Sequence, residues 1–386
     1  MAKRRIYVEG VKRTLFGIGS IEELGERLRR LGMGKVLLVM DRELGKGPLR
    51  ERVSEILEGS SIRYGLYAEV TPEPSPWVAD KGAEMGRDLQ VQGIVGVGGG
   101  STLDVAKAIA VLVTNRGKAE DYIGLDLVPN PGIPSVMVPT TAGTGSEATF
   151  TAVFTMREQK KKGGINSPYL YPELAILDPE LTLELPPYIT AFTGMDALVH
   201  AIESYTSKAA HFLSRPISWE AIQILGQNLR GAVYNGKDIH ARSNMLKGSY
   251  LAGLGLAMAG VGLVHAMAYP LGALYDIPHG VANGVMLPYV LEYNYPAKMV
   301  EYAEISWSLG TEAEGEREAA SLLPERCFEL LQDIGMPPSL KELGIPREDL
   351  PKMAEIAMGV TRPIQNNPRP VDTEAIIRIY ENAFEG

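Results

Sequence analysis

QGIVGVGGGSTLDVAKAIAVL, residues 92–112, decides the fold because it reads as a strand, a glycine-rich turn and a helix in immediate succession. The short apolar run at its start is typical of a buried strand in a parallel sheet. Three glycines permit a tight turn and let backbone N–H groups approach an anion: Gly98, Gly99 and Gly100. Ser101 is a natural N-cap for the helix, with Asp104 in the capping-box position. Because the motif is not a strict GxGxxG, a glycine turn without a ligand stays an alternative.

Strand and helix patterns alternate on both sides of this segment. Apolar strand patterns fall at 35–41, 61–70 and 133–139, and helical patterns at 21–31, 48–58 and 76–90. This alternation predicts a parallel sheet with right-handed crossovers. Three further predictions concern local structure: a strand pair within 4–16, a first helix capped by Ser20 with Glu23 in capping-box position, and a β-hairpin within 149–180 whose tip is REQKKKGG (157–164).

A second glycine-rich loop, TTAGTGSEAT at 140–149, follows the strand IPSVMVP. It offers hydroxyls from Thr140, Thr141 and Thr144. Two such loops at the carboxyl ends of neighbouring strands predict a dinucleotide site across the sheet. Asp41 ends the first strand, where it could accept hydrogen bonds from ribose hydroxyls and repel a 2′-phosphate, which favours NAD over NADP. From spacing alone, Asp41 is equally a simple turn residue.

Beyond LPPYIT (185–190) the chain reads as helices, so we predict an α/β Rossmann-like domain at 1–186 and an all-helical domain at 187–386. Amphipathic helices are expected near 216–230, 242–258, 317–334 and 373–384. Residues 250–275 lack charged side chains and are long enough to span a bilayer. Their many glycines and a central histidine fit close helix packing in a protein core better.

Four side chains of the helical half form a candidate metal site: Asp196, His200, His265 and His279. Asp196 and His200 are four residues apart, so they project from one face of a helix. Any one of these histidines alone is more often a core residue, but three imidazoles with one carboxylate suit a divalent transition metal. Four protein ligands would close a tetrahedral zinc site, whereas Fe(II) accepts more ligands and leaves room for substrate, so a catalytic role favours Fe(II).

Composition excludes several classes of protein. The net charge of −9, without a basic stripe, argues against a nucleic-acid partner. A single cysteine, Cys327, rules out an intrachain disulfide framework and fits a reducing compartment. The first residues carry charges but no apolar core of signal-peptide type, so a cytoplasmic location is expected.

Five motifs, in their order and spacing, resemble the iron-containing (group III) alcohol dehydrogenases, and among these the lactaldehyde reductase and 1,2-propanediol oxidoreductase type. The motifs are GGGSTLDVAKA, PTTAGTGSEAT, GMDALVHAIESY, GLVHAMAYPLG and IPHGVANGVMLPY. The resemblance covers nearly the whole chain. It implies an N-terminal Rossmann-like domain and a C-terminal helical domain, a dehydroquinate synthase-like architecture with metal and nicotinamide in the cleft between the halves.

The resemblance also implies roles for individual residues. The positions matching Asp196, His200, His265 and His279 hold the metal, and those matching Gly99, Gly100, Ser101, Asp104, Thr140, Thr141 and Thr144 meet the dinucleotide. The position matching Lys162 reaches the nicotinamide ribose, which replaces the default view of that lysine as a solvated turn residue. Members of the family are commonly dimers, so a homodimer is expected.

Two positions depart from the family pattern. Many relatives have a histidine four residues after the third metal ligand, where this chain has Tyr269. The tyrosine could relay a proton or merely line the pocket. Relatives often have asparagine in the turn before the third helix, where this chain has Glu73, and this weakens any claim about cofactor contacts there.

The predicted activity is reversible hydride transfer between NAD(H) and a small primary alcohol, diol or aldehyde, assisted by a metal. One alternative is an NAD- and metal-using lyase of the dehydroquinate synthase type, although residues 196–290 show no Lys/Arg cluster for a phosphorylated substrate. A zinc-dependent glycerol dehydrogenase and a non-catalytic metal- or nucleotide-binding protein are the others.

Overall fold

The structure is a computed structural model that describes residues 5–159 and 161–386. Arg4 and Lys160, which belong to the predicted strand pair and hairpin tip, lie outside the described residues. The strands are β1 Thr14–Phe16, β2 Lys35–Asp41, β3 Arg63–Val70, β4 Gly93–Gly98, β5 Gly124–Leu125, β6 Ser135–Pro139, β7 Thr151–Met156, β8 Lys161–Asn166 and β9 Leu174–Leu177.

The main sheet has six parallel strands in the order β1-β9-β6-β4-β2-β3. Its central strands are apolar throughout because helices cover both faces. On β2, Leu37 and Val39 pack on one face, and Val36 and Leu38 pack on the other, in a separate core cluster. The carboxyl ends of β2, β4 and β6 are therefore neighbours at one edge, which confirms the predicted parallel α/β fold.

Helices fill the rest of the chain. They are α1 Leu24–Arg30, α2 Pro48–Gly59, α3 Pro76–Asp88, α4 Gly100–Leu112, α5 Pro187–Thr206, α6 Ser214–Tyr234, α7 Ile239–Ala259, α8 Leu263–Tyr275, α9 His279–Asn294, α10 Met299–Ser308, α11 Glu316–Asp333, α12 Leu350–Met358, α13 Thr361–Asn366 and α14 Thr373–Glu385. From Pro187 onward the described chain contains helices and turns only, as predicted. Helix α5 is buried along almost its whole length because α6, α7 and α9 pack around it.

Two local predictions for the N-terminal segment are wrong. Within residues 5–16 the structure has one strand, β1, which pairs with β9 instead of with a neighbouring strand. Ser20 does not cap a helix: it begins a 3-10 turn, and the carboxylate of Asp178 accepts the backbone N–H groups of Gly19 and Ile21 in its place. Asp178, 157 residues from Ile21 in the chain, thus accepts the hydrogen bonds that the sequence pattern assigned to Ser20.

Ser101 is not an N-cap either, because α4 begins at Gly100 and its N-cap position is occupied by Gly99, which has no side chain to accept a hydrogen bond. Asp104 does not complete a capping box, since its carboxylate accepts hydrogen bonds from Ser146 and Val153. The predicted hairpin exists as β7 and β8, paired antiparallel, but Lys162 lies within β8 and not at the tip.

Residues 250–275 do not form one span. Among the described residues, no single helix is long and apolar enough to cross a membrane. Helices α7 and α8 pass that test of length and composition only as a pair, and they bend by 104° where they meet.

Candidate metal and nucleotide cleft

A cleft of about 370 Å³ lies between the strand-bearing half and the helical half. Its walls include five of the predicted cofactor residues, namely Gly100, Ser101, Asp104, Thr144 and Lys162. The same cleft is lined by Asp196, His200, His265, Tyr269 and His279. The two sets of residues, predicted from separate parts of the sequence, therefore face one space.

Three helices bring the candidate metal ligands together. Asp196 comes from α5, His265 from α8 and His279 from the first turn of α9, and one ligand atom of each lies within 4.8 Å of the other two. His200 follows Asp196 by one turn of α5, and its Nε2 is 4.0 Å from Asp196 Oδ1. Its ring stacks on that of His265 with centroids 4.7 Å apart. Asp196, His265 and His279 therefore form a group that could hold a metal ion, of the ligand types that divalent transition metals accept, and His200 lies beside that group.

Burial keeps the imidazoles in the form that can bind a cation. The pKa of His200 is lowered chiefly by its removal from water. Burial also lowers the pKa of His279, to about 3, although 28% of its side chain remains exposed. Both rings are thus neutral at neutral pH, with lone pairs available. For Asp196 burial favours the neutral acid, but His200, the other imidazoles and the Asn283 amide outweigh it and lower the pKa of the carboxyl.

Glu203 orients His265. Its Oε2 lies 2.6 Å from His265 Nδ1, and its Oε1 accepts the backbone N–H of Val264 at 2.7 Å. Because a carboxylate only accepts hydrogen bonds, Nδ1 of His265 carries the proton and Nε2 is left as the ligand atom. Sequence reasoning missed Glu203, although it follows Asp196 by seven residues, two helical turns along the same face.

The two glycine-rich loops touch each other at the end of the sheet. Thr140 N–H donates to Gly98 C=O at 3.0 Å. A Cβ at Gly100 would lie 2.5 Å from Thr144 Cγ2, so only glycine permits this approach. Gly98, Gly99, Thr140 and Thr141 support the same two turns without lining the cleft.

A fully buried ammonium group fixes the second glycine-rich loop and the start of β7 to α4. Lys107 Nζ donates to Ser146 C=O at 2.9 Å, Thr149 Oγ1 at 3.1 Å and the Thr151 carbonyl. It also lies 3.2 Å from the Asp104 carboxylate. Burial lowers the pKa of Lys107, and it raises the pKa of the nearby Glu147 to about 7. Sequence reasoning missed this network because the partners of Lys107 lie up to 44 residues away from it in the chain.

Lys162 and Glu73 form an ion pair in the cleft, with Nζ and Oε2 2.6 Å apart. The Lys162 side chain is only 4% exposed, and Glu73 also accepts from Thr155 Oγ1 at 3.0 Å. Burial alone would raise the pKa of Glu73, but Lys162 outweighs it and the pKa falls. Glu73 has a φ of 53°, a left-handed conformation that suits asparagine better than glutamate. At this position the glutamate forms an ion pair that an uncharged asparagine could not form.

For two predicted residues, Asp41 and Tyr269, the structure gives a position but does not test the predicted role. Asp41 ends β2 beside β4, outside the residues that line the cleft, and its Oδ1 accepts the backbone N–H groups of Glu43 and Leu44. Its contact with a ribose stays a prediction. Tyr269 stacks on His279 with centroids 5.9 Å apart, and burial raises the pKa of its phenol to about 12. The phenol therefore keeps its proton at neutral pH, and its role as a relay stays a prediction.

One cleft thus brings glycine-rich strand ends together with a carboxylate and three imidazoles that could hold a cation. Residues 12–179 match the family model described as iron-containing alcohol dehydrogenase, and residues 190–384 match the C-terminal model of the Fe-containing alcohol dehydrogenase family. The chain belongs to the iron-containing alcohol dehydrogenase family.

The similarity to individual relatives extends over nearly the full length of both chains. The chain is 35% identical to a lactaldehyde reductase of Escherichia coli (strain K12), covering 100% of both chains. A crystal structure of 1,3-propanediol oxidoreductase superposes with a TM-score of 0.95 at 38% identity, over 99% of this chain and 100% of the other. A sulfoacetaldehyde reductase from Bifidobacterium kashiwanohense in complex with NAD⁺ has a TM-score of 0.89 at 28% identity, over 98% and 99%. The predicted family and enzyme class are confirmed.

Proposed function

We propose that the protein transfers hydride reversibly between NAD(H) and a small primary alcohol, diol or aldehyde, with a divalent cation held by Asp196, His200, His265 and His279. The observation that carries the proposal is that these four side chains line the same cleft as Gly100, Ser101 and Thr144. The relatives whose names specify lactaldehyde, 1,3-propanediol and sulfoacetaldehyde support a short substrate.

When bound, the cation would supply Lewis acidity for the substrate oxygen, and the nicotinamide would supply or accept the hydride. The protein's own residues perform the remaining tasks. The loops at Gly98–Ser101 and Thr140–Thr144 receive the dinucleotide through backbone N–H groups and hydroxyls. Lys162, held by Glu73, faces the cleft beside His279 and orients the ribose. Tyr269 forms the wall next to His279 and keeps a hydroxyl proton available to the cleft.

Fe(II) is the proposed native cation, and Zn(II) is the main competitor. Three imidazoles and one carboxylate accept both metals, but Zn(II) with four protein ligands favours a closed tetrahedron. Because Zn(II) binds more tightly than Fe(II) in most sites, the metal found after purification can differ from the one used in the cell.

The test is a screen of short alcohols and aldehydes after anaerobic loading with Fe(II), followed by the absorbance of NADH. Turnover should require the cation, and a chelator should abolish it. Full activity in a sample shown to be metal-free would contradict the proposal. A lyase would consume its substrate with no net change in NADH.

Further proposals concern organisation and location. We propose residues 1–186 and 187–386 as the two domains, since the last described strand and the first helix of the bundle flank this boundary. We also propose a cytoplasmic homodimer with no nucleic-acid or membrane partner. The free thiol of Cys327 supports the reducing compartment, and the net charge of −9 supports the lack of a nucleic-acid partner.

A further inference from the structure

Arg362 brings a positive charge into the cleft that the described residues leave without a counter-ion. It lies on α13, it is exposed, and it lines the same cleft as the candidate metal ligands. Beyond those ligands, the other charged side chains of the cleft wall have partners. Lys162 pairs with Glu73, and the carboxylate of Asp104 lies 3.2 Å from Lys107 Nζ. No carboxylate in the described part of the chain forms an ion pair or hydrogen bond with the Arg362 guanidinium.

The position of Arg362 is fixed relative to the helix that carries His265. Helix α13 packs against α8, and Asn366 of α13 donates from Nδ2 to Val261 C=O at 3.2 Å, just before α8 begins. The guanidinium itself lies 5.8 Å from the centroid of the Phe150 ring. Contact with an aromatic face holds a cation in place without supplying an anion, so the N–H groups of Arg362 stay available to a ligand.

The helical wall around this arginine is mostly apolar. The apolar residues that the end of α7, the turn after it and the region of α13 contribute to the cleft are Leu256, Ala257, Val261, Val360 and Pro363. Such a surface suits the methylene groups of a short chain. The planar guanidinium offers paired N–H donors that match the oxygens of a carboxylate, and a sulfonate presents similar acceptors. A hydroxyl or aldehyde at one end, a few methylene groups and an anion at the other end therefore complement this cleft.

We infer that Arg362 is a specificity-determining residue, which binds the anionic end of a short ω-hydroxy acid or ω-oxo acid while the other end reacts. The inference rests on the proposed function and narrows its substrate class to alcohols and aldehydes with a remote carboxylate or sulfonate. During oxidation the CH₂OH carbon gives hydride to NAD⁺ and the hydroxyl proton is released, so an aldehyde forms and the anion is unchanged. Because the anion is bound before and during this step, Arg362 should act mainly on KM.

The test compares acids with uncharged amides of the same shape. The pairs are 3-hydroxypropanoate with 3-hydroxypropanamide, 4-hydroxybutanoate with 4-hydroxybutanamide, and 2-hydroxyethanesulfonate with its sulfonamide. NADH formation after Fe(II) loading gives kcat/KM for each compound. In the wild type the acid should exceed the amide in at least one pair, and the pair with the largest ratio identifies the preferred anion. Arg362→Gln should lower that ratio roughly tenfold, since hydrogen bonds between charged groups at an exposed site fall at the lower end of their range.

Arg369→Gln is the matched control. Arg369 is also exposed and also lies over an aromatic ring, 4.1 Å from the centroid of Tyr293, but it is not among the residues that line the cleft. Its acid-to-amide ratio should equal that of the wild type. Arg362→Glu reverses the charge, so it should prefer the cationic 4-amino-1-butanol to 4-hydroxybutanoate.

The two levels of the argument fail in different ways. An unchanged ratio in Arg362→Gln, or a wild type that favours no acid over its amide, would overturn the inference and leave the proposed function intact. If no alcohol, charged or neutral, reduces NAD⁺ in the wild type, the proposed function fails and this inference fails with it.

Discussion

Replacing Glu203 by glutamine should weaken metal binding through the tautomer of His265. Glutamine matches glutamate in shape but offers one acceptor oxygen and one donor nitrogen. If its oxygen accepts the N–H of Val264, its NH₂ group faces His265 Nδ1, which must then give up its proton. The proton moves to Nε2, the atom that would bind the cation, so binding has to reverse this shift.

The magnitude follows from the two bonds that Glu203 makes. Hydrogen bonds to a charged group contribute about 1.5–3 kcal/mol, and the variant loses the charge from both. If this free energy is lost from cation binding, the affinity falls roughly 10- to 100-fold, since about 1.4 kcal/mol corresponds to a tenfold change. Unfolding of the metal-free protein should change less than binding does, because the glutamine still satisfies Val264.

The assay is competition for Fe(II) or Zn(II) between the protein and a chromophoric chelator, with anaerobic handling for iron. Glu304→Gln is the control, because that carboxylate also accepts a partly buried hydrogen bond, from Tyr205 at 2.5 Å, away from the ligands. An affinity of Glu203→Gln equal to that of the control would refute the argument that a tautomer is being held.

Three further changes test other parts of the cleft. Lys107→Met leaves Asp104 and the surrounding carbonyl groups without their partner. We therefore expect the free energy of unfolding, measured in urea, to fall by about 3–5 kcal/mol and NAD binding to weaken. An unchanged unfolding midpoint would contradict this. Gly100→Ala places a methyl group against Thr144, which should cost about 1–3 kcal/mol of stability and lower NAD affinity in calorimetry while metal content stays at the wild-type level; normal NAD affinity would show that the two loops do not shape the site. Because the folded pKa of Glu73 is below its usual 4.5, its pair with Lys162 stabilises the fold fully above about pH 4.5 and is lost as the pH falls further. The stability of Glu73→Gln should accordingly fall less than that of the wild type between pH 5 and pH 3, the interval to be sampled by thermal unfolding.

The candidate site was predictable to the extent that its signals are short-range. Asp196 and His200 share a helical face, and the glycines at 98–100 sit between a strand and a helix, so local spacing suffices to identify them. The caps were not predictable. Ser20 and Ser101 are residues of the capping type at plausible positions. At the first helix, however, the distant Asp178 accepts the backbone N–H groups, and in α4 the Asp104 carboxylate binds Ser146 instead of closing a capping box. From its charge alone Lys162 reads as a solvated turn residue, and only the family resemblance indicated the cleft; its ion pair is with Glu73, 89 positions earlier in the sequence.

The sequence by itself determined the parallel α/β half, the helical half and the identity of the candidate ligands, because periodicity, glycine turns and motif order are properties of the chain. Only the tertiary structure decided that α5, α8 and α9 bring the candidate ligands together, that Glu203 fixes His265, and that Lys107 joins the 140–149 loop and β7 to α4. The physical reason is that hydrogen bonds between distant residues depend on how the elements pack. Buried polar groups must find partners wherever packing places them, and local sequence does not specify that placement.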